Sequence, residues 1–278
     1  HTLLQRLSVR DLVEHGEIVA WVNGLWLQGE DGKAIDQANL ATVLSPQSSQ
    51  SWLSLSDASL AVGDSNQARI AIAEAVRLEG NPDAHLMRRA FISAQDGDLD
   101  GAMAHLRRAI LLHPGVGFAH WMYSSISTDA ERLGLVENDL LAAEERLHPG
   151  DGPLDFLAGA WAALGRSSRA KTHFDNGLKR DCDNAPDASS KKNCTAWYHA
   201  LAKQDLIKAQ ELIHAALQER PNRAEYLDTL AVVLEAQGQP SQARDAAWRA
   251  ALQVPDDVYL VTQALRLEAS IPPSQRTR

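Results

Sequence analysis

Glycine recurs in this chain on a fixed grid. Gly29, Gly63, Gly97 and Gly165 stand at multiples of 34 residues, and five extra residues bring Gly238 back to the same phase. Five positions after each grid point stand Ala34, Ala68, Ala102, Val136, Ala170, Ala209 and Ala243, and seven beyond those Ala41, Ala75, Ala109, Ala143, Gly177, Ala216 and Ala250. A spacing of seven keeps two small side chains on one helical face, where they admit close approach of a neighbouring helix. The grid glycine permits the positive φ that ends one helix and reverses the chain into the next. Pro46, Pro114, Pro149, Pro221 and Pro255 then close units that begin near His15, Ser49, Asp83, Gly117, Asp151, Ser190 and Ala224. A proline there cannot continue a helix.

This layout resembles the tetratricopeptide repeat (TPR), a helix-turn-helix of 34 residues with small residues at its packing positions. The resemblance covers residues 15–257 and implies an all-α, right-handed superhelical solenoid of about seven TPR-like repeats. Two units depart from it. The fourth has Glu131 at the glycine position, which predicts an altered turn; the sixth has Gln204 there and the bulky Trp197 where a small residue is expected. Residues 1–14, with Leu3, Leu4, Leu7, Leu12 and Val13, read as an N-terminal cap helix over the first unit. Residues 258–278 read as a cap helix over the last unit, carried by Val258, Val261 and Leu265, and a tail that reads as disordered after Pro272 and Pro273. Terminal repeats need such covers.

Charge bounds the partners. A net charge of -9 with 27 basic residues spread along the chain argues against nucleic acid, which calls for clustered Lys and Arg. No apolar run reaches the roughly 18 to 20 residues that span a bilayer. The chain begins at His1 without Met, so a targeting segment, an anchor or another domain ahead of it stays open.

Cys182 and Cys194, the two cysteines, flank the five-residue insertion in RDCDNAPDASSKKNC, a composition that favours loop over helix. A disulfide holding that turn closed is expected, and with it an oxidising, periplasmic or otherwise extracytoplasmic compartment. Two reduced thiols in a cytoplasmic protein are the alternative. No further Cys or His lies at metal-ligand spacing, so no metal is expected.

Catalysis finds little support. Gly63, Asp64 and Ser65 spell an esterase-like GDS, but at the mid-unit turn, where an acidic or hydroxyl residue is expected to cap the second helix. His113 and His148 each precede Pro-Gly at a unit end. No phosphate loop or HExxH pair appears, and no catalytic residue or cofactor is expected.

Function is therefore expected on a surface. The TPR resemblance implies that positions 2, 5, 9 and 12 of each first helix line a concave groove. These and the neighbouring sixth positions give Asn23, Trp26, Leu53, Asp57, Met87, Arg88, Phe91, Trp121, Met122, Ser125, Asp155 and Tyr198 as partner-binding candidates. Leu60 and Phe118 share those positions, with inter-unit packing as the plainer role. The groove suits an extended or helical segment of a protein partner. The family's chaperone-binding members use a Lys and Asn clamp at the fifth and ninth positions; Val19 with Asn23 and Leu53 with Asp57 do not supply it. Two readings follow. One is a non-catalytic scaffold, for example in a bacterial envelope assembly or export complex. The other is a positioning or oligomerisation domain of a larger enzyme, for example a membrane-anchored one, whose remainder precedes His1.

Overall fold

A computed structural model describes residues 8–14, 16–126, 130–147 and 152–271, with only the backbone described at residues 130 and 131. The start of the N-terminal cap segment, His15, His148, Pro149, Asp151 and the tail from Pro272 lie outside the described residues. All regular structure among the described residues is helical, as the periodicity predicts. The helices form two bodies, residues 1–98 with 251–278 and residues 99–250.

The first body holds α1 (Val9–Glu14), α2 (Ile18–Leu27), α3 (Asp31–Leu44), α4 (Ser49–Ala61), α5 (Ser65–Glu79), α6 (Leu86–Gln95) and, from the far end of the chain, α16 (Val258–Ala269). Leu12 and Val13 of α1 are buried, and the helix packs on α2 and α3. The second body holds α7 (Leu99–Leu112), α8 (Gly117–Ser125), α9 (Ala130–Arg146), α10 (Leu154–Ala163) and α11 (Ser167–Gly177), the last running into a π-helical turn at Leu178–Cys182. It continues through α12 (Ala188–Leu201), α13 (Leu206–Glu219), α14 (Ala224–Ala236) and α15 (Pro240–Gln253) up to Ala250.

The hairpin turns have one chemistry. After α4, Gly63 takes φ 82° and the N–H of Asp64 reaches back to the carbonyl of Ser59 at 2.8 Å; after α14, Gly238 takes φ 75° and Gln239 bonds Leu234 at 2.9 Å. These are Schellman ends, which satisfy carbonyls the helix leaves open. Asp64 then accepts from the N–H of Gln67 at 2.9 Å and caps α5, the structural role expected of the GDS triplet. The small residues behave as the spacing requires: Ala34, Ala41, Ala68, Ala75, Ala209, Ala216, Ala243 and Ala250 are fully buried.

The two irregular units differ from expectation in detail. In the sixth, the positive φ falls on Lys203 (φ 51°), one residue before Gln204, and Gln204 supplies the back-bond to His199 at 2.9 Å. The motif survives without glycine because its hydrogen bonds offset a left-handed cost of about 1 kcal/mol for a non-glycine residue. In the fourth, Glu131 lies inside α9, so the turn comes earlier than the grid places it and α8 is only 9 residues long. The segment between the cysteines is also more helical than its composition suggests: α12 begins at Ala188, capped by the Asp187 carboxylate on the N–H of Ser190, and Cys194 sits within it.

α16 packs against α6 of the third unit, a contact that its hydrophobic spacing does not indicate.

Candidate partner-binding face

Seven of the groove candidates belong to the first body. Asn23 donates through Nδ2 to Asp57 at 3.4 Å and to the carbonyl of Pro255 at 3.0 Å, while its Oδ1 accepts from Trp26 Nε1 at 3.0 Å. Arg88 grips Asp57 with two parallel hydrogen bonds, Nε at 3.0 Å and Nη2 at 2.9 Å. Both side chains are nearly sealed from water, 8% and 1% exposed. Leu53 and Phe91 are buried as well, and Met87 is half-buried. These positions do converge, but among themselves and onto the chain's own C-terminal segment: Leu60, Phe91 and Gln95 share with Leu265 and Glu268 of α16 a residual void of about 90 Å³. The 31-residue separation of Arg88 from Asp57 gave the sequence no hint of their pairing.

The second body presents a different surface. Three glycines of its helices, Gly117 on α8, Gly159 on α10 and Gly177 at the end of α11, each seat a neighbouring side chain. A Cβ on Gly117 would meet the Phe156 ring at 2.3 Å, one on Gly159 would meet Trp121 at 3.1 Å, and one on Gly177 would meet Tyr198 at 2.2 Å. Two of the rings so admitted, Phe156 and Trp121, belong to a ladder. Trp121 and Phe118 stack at 5.8 Å; Phe118 meets Phe156 edge-on at 6.2 Å; Phe156 meets Trp197 edge-on at 5.5 Å. Trp197 closes the row by donating Nε1 to Asp155 Oδ2 at 2.8 Å. Phe118 is buried, whereas Trp121, Phe156, Trp197 and Asp155 stay half-buried.

No family model matches the chain. No curated protein matches it either. Among solved structures it is similar to a tetratricopeptide repeat protein from Parabacteroides merdae ATCC 43184, at 14% identity over 90% of this chain and 97% of that one, with a TM-score of 0.42. It is also similar to a chain in the structure of Naa15/Naa10 bound to HypK-THB, at 14% identity over 88% of this chain and 59% of that one, with a TM-score of 0.34.

Behind the ladder lies the support that holds α12 in place. The Tyr198 hydroxyl donates to the Asp181 carboxylate, which Arg180 grips at 2.5 and 3.0 Å while its Nη1 donates to the carbonyl of Gly152 at 2.8 Å. Burial opposes ionisation of Asp181, but the hydrogen bonds from Arg180 and Tyr198 hold its carboxyl below the usual range. Burial and the same carboxylate push the Tyr198 phenol well above its ordinary value. Burial raises the pKa of Asp155 against the pull of the hydrogen bond from Trp197. A disulfide between Cys182 and Cys194, Cα atoms 5.3 Å apart, ties the π-helical turn to α12. Aromatic packing of Tyr198 on Phe174, and of Phe174 on His199, completes this support.

The remaining candidates sort by burial. Tyr198 is 1% exposed and acts as a wedge, and Met122 points into the core at 5%. Ser125 is exposed at the end of α8, bonded to the Trp121 carbonyl at 2.7 Å. Phe118, Phe156 and Trp197 complete the ladder and were not among the candidates. Trp197 carried a signal, being a bulky residue at a small-residue position; Phe156 carried none.

Among the described residues no group of three or more His, Cys, Asp and Glu converges as a metal site, and no helix is long and apolar enough to cross a membrane. A cleft of about 740 Å³ lies beside α7, α8 and α9, walled by Met103, Leu111, Leu135, Arg107 and Arg132. Its arginines are engaged: Arg107 Nε meets Asp139 at 2.9 Å and Arg132 Nη2 meets Asp100 at 2.7 Å.

Proposed function

We propose that this chain is a non-catalytic interaction scaffold whose second body holds a segment of a partner protein along α8, α10 and α12. The observation that carries the reading is the ladder Trp121–Phe118–Phe156–Trp197, two of whose rings are seated by glycines and three of which stay half-buried. Aromatic rings give large contact area at low ordering cost and concentrate binding energy where they cluster. The half-buried polar end at Asp155 favours a segment that brings an N–H donor or a basic side chain beside its large apolar residues. The Cys182–Cys194 bridge supports an oxidising compartment, and with it an assembly or export role in a bacterial envelope.

The test is affinity capture from the native source with the wild-type chain and with Trp121→Ala/Trp197→Ala, helicity being checked by circular dichroism. A partner retained by the wild type and lost from a folded double variant supports the reading. Equal capture by both sinks it.

A further inference from the structure

The C-terminal segment does more than end the chain. α16 is deeply packed: Leu260, Val261, Ala264, Leu265 and Leu267 are buried, and so are the polar Thr262, Gln263 and Glu268. Only Val258, Tyr259, Arg266, Ala269 and Ser270 keep access to water, so the helix buries polar as well as apolar side chains against its seat. It also supplies much of its own order. Asp257 caps it at the N–H of Leu260 (3.0 Å), and Gln263 bonds Tyr259 (3.1 Å) and Arg266 (2.8 Å) of the same helix.

Its seat differs from the packing between repeats. Repeat faces meet through alanines, whereas this seat combines Leu60 and Phe91 with the Asn23–Asp57–Arg88 network, which reaches the segment through the Pro255 carbonyl. A desolvated ion pair adds little net stability but strongly penalises a wrong neighbour. Selectivity without much added stability is the character of a recognition site. Anchors on one helix face at 260, 261, 264, 265 and 268 are the pattern by which a groove reads an amphipathic helix.

We infer that the inner row of α2, α4 and α6 is a helix-binding surface whose resident ligand, in cis, is the chain's own residues 255–271, and that a partner helix with the pattern of α16 enters only by displacing it. This stands apart from the reading of α8, α10 and α12 and does not depend on it.

The experiment uses the full chain and a fluorescein-labelled peptide, PDDVYLVTQALRLEASI, corresponding to residues 255–271. Leu265→Glu in the protein puts a charge on a residue only 5% exposed and releases the resident helix. Expected by fluorescence anisotropy is peptide binding at least about ten-fold tighter to Leu265→Glu than to wild type, equivalent to about 1.4 kcal/mol, and lost again in Leu265→Glu/Arg88→Ala. A folded Leu265→Glu chain that ignores the peptide overturns the inference. So does a wild-type dimer on size exclusion that exchanges α16 between copies. If Leu265→Glu fails to fold, hydrogen exchange on the wild type decides. Amides of α16 exchanging well ahead of those of α4 support a displaceable ligand; exchange of both together overturns it.

Discussion

Tyr198 lies against Gly177 so closely that a methyl group on the glycine would come within 2.2 Å of the phenol ring. The ring cannot retreat freely, because its hydroxyl is tied to Asp181. Gly177→Ala is therefore expected to cost about 1 to 3 kcal/mol through overpacking. Gly134→Ala, in the exposed middle of α9 with nothing within 4 Å, is the matched control. It is expected to be neutral or to stabilise by up to about 1 kcal/mol through helix propensity. Urea denaturation midpoints of the two variants read the difference.

The bridge between Cys182 and Cys194 spans 12 residues of sequence. Closing a loop of that size contributes about 3 kcal/mol in the chain-entropy account. Reductant is expected to lower the unfolding midpoint of the wild type and to leave Cys182→Ser/Cys194→Ser unmoved. Two thiols alkylated without reduction, in protein from its native compartment, would remove the bridge and the argument for an oxidising location.

Arg107 and Ala109 test the repeat register. The sequence makes Arg107 an exposed residue and Ala109 a packing residue, and both expectations hold: Arg107 is 48% exposed and Ala109 is 6% exposed. Ala109→Phe is expected to cost about 1 to 3 kcal/mol. Arg107→Ala is no longer expected to be silent, because its Nε bonds Asp139, which also accepts from Tyr123 at 2.7 Å. Solvent screening of the half-exposed partner limits that loss to about 1 kcal/mol. Thermal melts that rank Arg107→Ala as the more damaging change would contradict the register.

His120 sets an acid limb on stability. Its ring is fully buried, with Nε2 2.7 Å from the carbonyl of Pro114. Burial lowers its pKa, against the weaker upward pulls of Pro114 and Glu144. The folded value lies below the unfolded one, so the contribution is complete above about pH 6.5 and is lost as pH falls through the depressed folded value. Burial lowers His199 in the same way and adds with the same sign. Unfolding free energies measured between about pH 7.5 and pH 5 are expected to fall with acid, and less steeply in His120→Gln, which removes one of the two titrations. An unchanged slope would show that His120 titrates freely.

What the sequence made legible is what repeats. Gly63, Gly238 and the buried alanines follow from local backbone geometry and one helix face, and a period exposes both. The Cys pair was legible because both residues flank the one break in that period. Long-range packing was not: nothing in Val258, Val261 and Leu265 signals that their helix meets α6. That packing encloses Asn23, Asp57, Arg88 and Phe91, which the groove pattern had offered as open. The ladder was legible only in part. Trp121 and Asp155 fall on pattern positions, while Phe156 and Trp197 reach the row because Gly117 leaves room for one ring and Asp155 anchors the other.

The most direct test of the central claim is site-specific photo-crosslinking in the native source. A photoreactive residue replaces Ser125, exposed on α8 beside the ladder, and in a second protein it replaces Met87 on α6. A partner adduct from position 125, abolished by Trp121→Ala/Trp197→Ala, with position 87 linking within the chain, is the result expected. Partner adducts from position 87 alone, with position 125 silent, would contradict the assignment of binding to α8, α10 and α12.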